Sequence, residues 1–426
     1  MERVDIAQAV TAAVNSQTIT DLHTHCYTPK FGASPTPGGL LLWGIDELVT
    51  YHYLIAEVYR IVPSSHLPYA DYWKMSKQQQ ADHIWQHLFV ERTPISEACR
   101  GVLTTITALG LDPNEKSLQA YRKWFSAQKP SQYIDTVMEL ANVDSITMTN
   151  PVFDDHERSI WETHPAVGDD PRFEAVLRID PLLRDWPSAM DKLKKWGYDV
   201  RPDFSGNTVD EVRRFLCEWV DRMKAIYIAM SLPPDFRYPA PGDKGEAANR
   251  FIRDILMPVC ADRGLPWAMM IGSRLQVNPD LRDAGDMSGK ADIESVANLC
   301  SQFPNNKFLV TMLALENQHE LCVTARKFGN LLVFGCWWFL NNPTLVEHIT
   351  RMRIELLGTT FVPQHSDARI LDQMIYKWKH PRGILQKVLI DKYTDIAATG
   401  FKITSEQICN DVALLMRDNF RNFLDR

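Results

Sequence analysis

The stretch Thr18-Ile-Thr-Asp-Leu-His-Thr-His25 decides the reading of this chain. It is a short apolar, β-branched run that ends in a polar HxH pair, as a buried strand does where it emerges at a site. Side chains alternate along a strand, so His23 and His25 point to one face at its C-terminal end. Two neutral imidazoles so placed can share one divalent ion, with zinc the usual choice for such donors. The plainer alternative is two polar residues closing a strand.

Working outward, further apolar runs recur at 144–149, 174–179, 225–231, 266–271, 307–312, 330–335 and 358–364. Pro363 interrupts the last and makes it the least regular. Helix-period segments lie between them, for example over 208–223 and 291–300. Eight strands alternating with helices predict an α/β fold, a (β/α)8 TIM-like barrel; pattern alone leaves an open doubly wound sheet as the alternative. The exception is 28–143, which is mostly helix-patterned (46–61, 77–90, 96–109, 117–128) where one helix suffices. The chain is therefore divided into a barrel, 1–27 and 144–426, and a helical insertion after strand one, 28–143. The insertion is expected to lid the C-terminal face, with the Gly/Pro-rich 32–39 stretch as its hinge.

Composition narrows the function classes. The 426 residues are 45% hydrophobic and 23% charged, ordinary for a globular protein. A net charge of −7 argues against a nucleic-acid surface. No apolar run approaches the roughly 18 residues of a membrane span, and the N-terminus has no apolar signal core. Eight cysteines at long spacings form no CxxC pair, which fits reduced thiols of a cytoplasmic protein. Phosphate-binding glycine motifs are absent. A small-molecule substrate and a homo-oligomer are expected.

The last predicted strand leads into Gln364-His-Ser-Asp-Ala-Arg369. In a closed barrel Asp367 would face the first strand, to complete a metal site or accept a proton. A helix N-cap is its bland alternative. Two further polar clusters are set aside: His83-Ile-Trp-Gln-His87 reads as packing, and Asp154-Asp-His-Glu157 as a solvated charge cluster.

HxH on strand one with an Asp on strand eight resembles the amidohydrolase superfamily. Across nearly the whole chain the more specific resemblance is to the uronate isomerase (glucuronate isomerase) family. It is carried by Thr20-Asp-Leu-His-Thr-His25, Tyr51-His-Tyr53, Val176-Leu-Arg-Ile-Asp-Pro181, Phe334-Gly-Cys-Trp-Trp-Phe339 and His365-Ser-Asp-Ala-Arg369. The resemblance implies an aldose–ketose isomerase of hexuronates, D-glucuronate to D-fructuronate and also D-galacturonate to D-tagaturonate, working through a cis-enediolate. It implies one divalent metal, Zn2+, on His23, His25 and Asp367. It also places His52 and Tyr53 beside the substrate, Arg178 and Arg369 on its carboxylate, and Trp337 or Trp338 as a wall. Tyr53, its pKa lowered by arginine or metal, is the expected acid/base, with Asp367 the alternative. One departure is Met270, which stands where the superfamily usually ends strand five with histidine. A hydrolase or lactonase of the same superfamily, and a non-catalytic sugar-acid binder, are the rival readings.

Overall fold

The computed structural model describes residues 5–426; residues 1–4, which open the expected barrel segment 1–27, lie outside the described residues. Seven parallel strands form one curled sheet in the order β1-β2-β3-β4-β5-β8-β9. They are β1 (Ile19–Thr24), β2 (Val143–Pro151), β3 (Phe173–Arg178), β4 (Ile228–Leu232), β5 (Trp267–Ile271), β8 (Phe308–Met312) and β9 (Leu331–Val333). Between β5 and β8, β6 (Ser273–Arg274) and β7 (Met287–Ser288) pair antiparallel as a small ribbon that the sequence pattern does not announce. Every residue of β1, β4, β5, β8 and β9 is buried. That is why β4, β5, β8 and β9 read as mostly apolar runs: helices cover the outside of a parallel sheet.

The expected strand over 358–364 is not a strand. Only Val362 bridges, to Phe334, because Pro363 offers no N–H to a ladder. The segment nevertheless touches both edges of the sheet. Val362 N donates to Val333 O at 3.0 Å, Asp367 N to His23 O at 3.1 Å, and His25 N to Ala368 O at 2.7 Å.

Between β1 and β2 the chain is mostly helical, with helices at Ile45–Val49, His52–Val58, Lys77–Trp85, Glu97–Ala108, Gln119–Ser126 and Pro130–Ala141. The single helix expected over 46–61 is broken at Thr50 and Tyr51, so that His52 begins a new helix. A 26-residue helix, Gln373–Ala398, follows the 361–372 segment and packs against Glu97–Ala108 and Pro130–Ala141. Asp372, just before it, accepts from Gly44 N at 2.8 Å and from the Tyr133 hydroxyl. This buried carboxyl ties the β1–β2 helices to the start of the long helix.

Candidate active site

At the C-terminal ends of the strands lies a cavity with an empty volume of about 530 Å3. His23, His25, His52, Arg178, Trp337, Trp338, Asp367 and Arg369 all line it. Of the residues singled out in the sequence, Tyr53 alone is missing from this lining. Its ring stacks on His52 at 4.6 Å, and its hydroxyl is buried without a hydrogen-bond partner. Burial, followed by Tyr51 and Asp367, holds that hydroxyl well above the ordinary phenol range, against the weaker opposing effect of Arg369. The lowered pKa expected for Tyr53 is thus reversed. Tyr51 lines the cavity in its place.

The ligand atoms of His23, His25 and Asp367 lie within 4.8 Å of one another. Among the described residues they are the one set of three metal-ligating side chains so gathered. Nε2 of His25 is 3.3 Å, and Nε2 of His23 3.5 Å, from Asp367 Oδ1. The two imidazole rings stand edge to face, 5.3 Å apart. His23 Nδ1 meets the Thr149 hydroxyl at 3.2 Å, which orients the ring with Nε2 toward the carboxylate. Burial brings His25 down to about 3, so the imidazole is neutral. Burial alone would raise Asp367, but hydrogen bonds from His23 and His25 hold it well below the ordinary carboxylate range. Two imidazole nitrogens and one carboxylate oxygen are the donor set a borderline divalent cation takes.

Asp367 is not a helix cap: the helix after it starts at Gln373, behind Asp372. Its φ is +49°, left-handed for a residue with a side chain, and Trp338 across the cavity has φ +50°. Such conformations cost on the order of 1–3 kcal/mol and gather where a site dictates the backbone. Three buried groups hold Asp367 in place. Lys377 Nζ donates to its carbonyl at 3.0 Å. Asp21 accepts from Ser366 N at 3.1 Å and from Trp378 Nε1 at 2.8 Å, pinning the segment to β1. His365 presses so closely on Gly335 that a Cβ there would lie 1.7 Å from Nδ1.

Arginines complete the lining. Arg178 donates to Asp180 at 2.5 Å and to the Ser231 hydroxyl at 3.2 Å. Arg178 is thus paired with Asp180 and still lines the cavity. Arg369 reaches Asp283 at 3.1 Å. His52 stacks on Trp338 with rings 5.6 Å apart and 3° from parallel; His52 Nε2 and Trp338 Nε1 are both buried without partners. Met270, on β5, lines the cavity with an apolar side chain where an imidazole was the superfamily expectation. Asp21, Lys377 and Thr149 escaped sequence reasoning. So did Glu157, which is 2% exposed and not the solvated charge its cluster implied.

No protein-family model matches the chain, and no curated protein matches it. Among solved structures it is similar to a uronate isomerase from Bacillus halodurans C-125, at 50% identity over 99% of this chain and 96% of that one, with a TM-score of 0.93. A uronate isomerase from Thermotoga maritima (16% identity, 98% and 97% covered, TM-score 0.76) shares the fold. So does a glucuronate isomerase from Caulobacter crescentus (14% identity, 99% and 94% covered, TM-score 0.76). With half its residues identical to those of the first of these over nearly the full length of both, the chain belongs to the uronate isomerase family.

Proposed function

We propose that this chain is an aldose–ketose isomerase of hexuronates, converting D-glucuronate to D-fructuronate and accepting D-galacturonate. The observation that carries the reading is one cavity lined by two imidazoles and a carboxylate together with the guanidinium groups of Arg178 and Arg369. Arg178 and Arg369 present planar forks that match a sugar carboxylate, and so fix the open-chain substrate by its C6 end. His52 Nε2 and Trp338 Nε1, buried without partners, supply hydrogen bonds for substrate hydroxyls.

In the reaction a proton leaves C2 and is returned to C1, while the hydroxyl proton on O2 passes to O1. The intermediate is a cis-enediolate whose charge needs cationic neighbours. Among the side chains lining the cavity, Asp367 is held ionised and is our choice of base at C2. Tyr53 acts from behind, through the His52 ring stacked on it. A metal ion, proposed as Zn2+, would be held by His23, His25 and Asp367, and when bound supplies Lewis-acid charge for substrate oxygens.

We read the sheet as a (β/α)8 barrel whose eighth stave is the irregular 361–368 segment. Of the expected 1–27 and 144–426, the described residues 5–27 and 144–426 then form the barrel, and 28–143 an insertion that covers the site and brings His52 and Tyr53 to it. Among the described residues no helix is long and apolar enough to cross a membrane. Together with eight cysteines that are all free, this favours the cytoplasm as the place of action.

The test is incubation of the purified protein with D-glucuronate in D2O, followed by NMR. Ketose formation with exchange or transfer of hydrogen between C2 and C1 is the expected result. Conversion of lactones or amides alone would replace this reading with the hydrolase, and binding without turnover would leave a sugar-acid receptor.

A further inference from the structure

The helix Asp155–Thr163, after β2, carries a buried carboxyl group that the proposed reaction does not use. Glu157 hydrogen-bonds to Asn150, Trp161 and Tyr27, none of them basic. Its Oε1 accepts from Asn150 Nδ2 at 2.8 Å and from Trp161 Nε1 at 3.4 Å, so that oxygen is an acceptor twice over. Its Oε2 is 3.0 Å from the Tyr27 hydroxyl, which is also 3.0 Å from the Thr149 carbonyl oxygen.

A phenol has one hydrogen, and a carbonyl can only accept. If Tyr27 gives its hydrogen to Thr149 O, the contact with Oε2 needs a second hydrogen, and that hydrogen must sit on the carboxyl. Were Glu157 ionised, one of the two contacts would be a buried pair of bare oxygens, which costs as much as an unmade hydrogen bond. The titratable and charged groups facing this carboxyl are Tyr27 from the segment after β1 and Asp154 from the start of its own helix; Arg178, at the end of β3, faces Tyr27. Burial pushes the Glu157 carboxyl up to about 7, three neutral donors pull the other way, and Asp154 adds to the rise.

The geometry points to Glu157 as a neutral carboxylic acid, a positioning residue whose proton locks the Tyr27 hydroxyl onto Thr149 and so steadies the imidazole of His23. The line of action is short. Tyr27 follows His25 by two residues, and the Thr149 hydroxyl meets His23 Nδ1 at 3.2 Å. Phe31 and Trp161 brace the same corner, Tyr27 against Phe31 at 5.1 Å and Phe31 against Trp161 at 5.5 Å. The protonation state stands apart from any reaction; its consequence for turnover rests on the isomerase reading.

Glu157→Gln copies the neutral acid, with an oxygen for Asn150 and Trp161 and an N–H for Tyr27. Three measurements on the full chain test it, none needing substrate. In the infrared difference between wild type and Glu157→Gln, the carbonyl stretch of a protonated acid should be present at about pH 5.5 and gone at about pH 8.5; its absence at the lower pH overturns the proposal.

The second is stability. The folded chain keeps a proton that an unfolded glutamate releases at about 4.3. Wild-type stability should therefore fall as pH rises from there through about 7, and stay lower above it. Glu157→Gln should fold and lack this decline; a variant that fails to fold, or melts in parallel with wild type across the window, means the group is needed as an anion and overturns the proposal.

The third reads the site. The His23 imidazole 15N signals should shift with the Glu157 titration in wild type and not in Glu157→Gln. Superimposable His23 15N signals in the two proteins across that pH range would overturn the positioning role.

Discussion

The two walls of the cavity are built differently. One, where β1 meets 365–369, brings together His23, His25, Asp367 and Arg369, with buried Asp21 and Lys377 behind them. The other, from β4, β5 and the ribbon after β5, presents Ser231, Met270 and Ser273. All the metal-ligating side chains of the cluster stand on the first wall, so three protein donors are what it can offer. A metal ion held there would keep room for substrate oxygens.

The comparison is broken most severely by Asp367→Asn. It removes the ionised oxygen, and turnover of D-glucuronate should fall about 10²–10⁴-fold, with the circular dichroism of the fold retained; near-normal kcat would take Asp367 out of the chemistry. Arg369→Lys keeps the charge and loses the fork. A rise in KM giving about a ten- to a hundredfold loss in kcat/KM is expected, and unchanged kinetics would refute its place on the carboxylate. Met270→His sharpens the contrast by putting an imidazole on the quiet wall. Zinc affinity, measured by competition with a chromophoric chelator, should rise about tenfold, while an unchanged affinity would mean that β5 does not face the ion. Glu157→Gln, outside both walls, should change kcat at low pH by no more than about threefold; a larger loss would place Glu157 in the chemistry itself.

Much of the first wall was legible in the sequence. Strand alternation alone puts His23 and His25 on one face, and the apolar run before them marks the strand as buried. Asp367 was legible in position but not in form. The strand expected to carry it dissolves at Pro363, yet its backbone still bonds to β1 through Asp367 N and Ala368 O, so the register that faces it toward His23 survives. The supports behind the wall were not legible. Lys377 lies on a helix and Asp21 on β1, and their burial depends on how the long helix Gln373–Ala398 packs against the β1–β2 helices.

Glu157 is the most instructive miss. Its neighbours do what a solvated cluster does: Asp155 pairs with Lys192 at the surface, and Asp154 caps the helix. Glu157 turns inward because Trp161, four residues on, marks the buried face. Tyr53 stands behind the lining, against the His52 ring. Residues adjacent at a helix start point in different directions, so Tyr51 and His52 reach the cavity and Tyr53 does not.

The most direct test is zinc K-edge X-ray absorption on the stoichiometrically loaded protein, wild type beside a His23→Ala/His25→Ala double variant. The account predicts two imidazoles among the zinc neighbours in wild type and neither in the variant. A wild-type spectrum without imidazole scattering, or one the double variant reproduces, would contradict it.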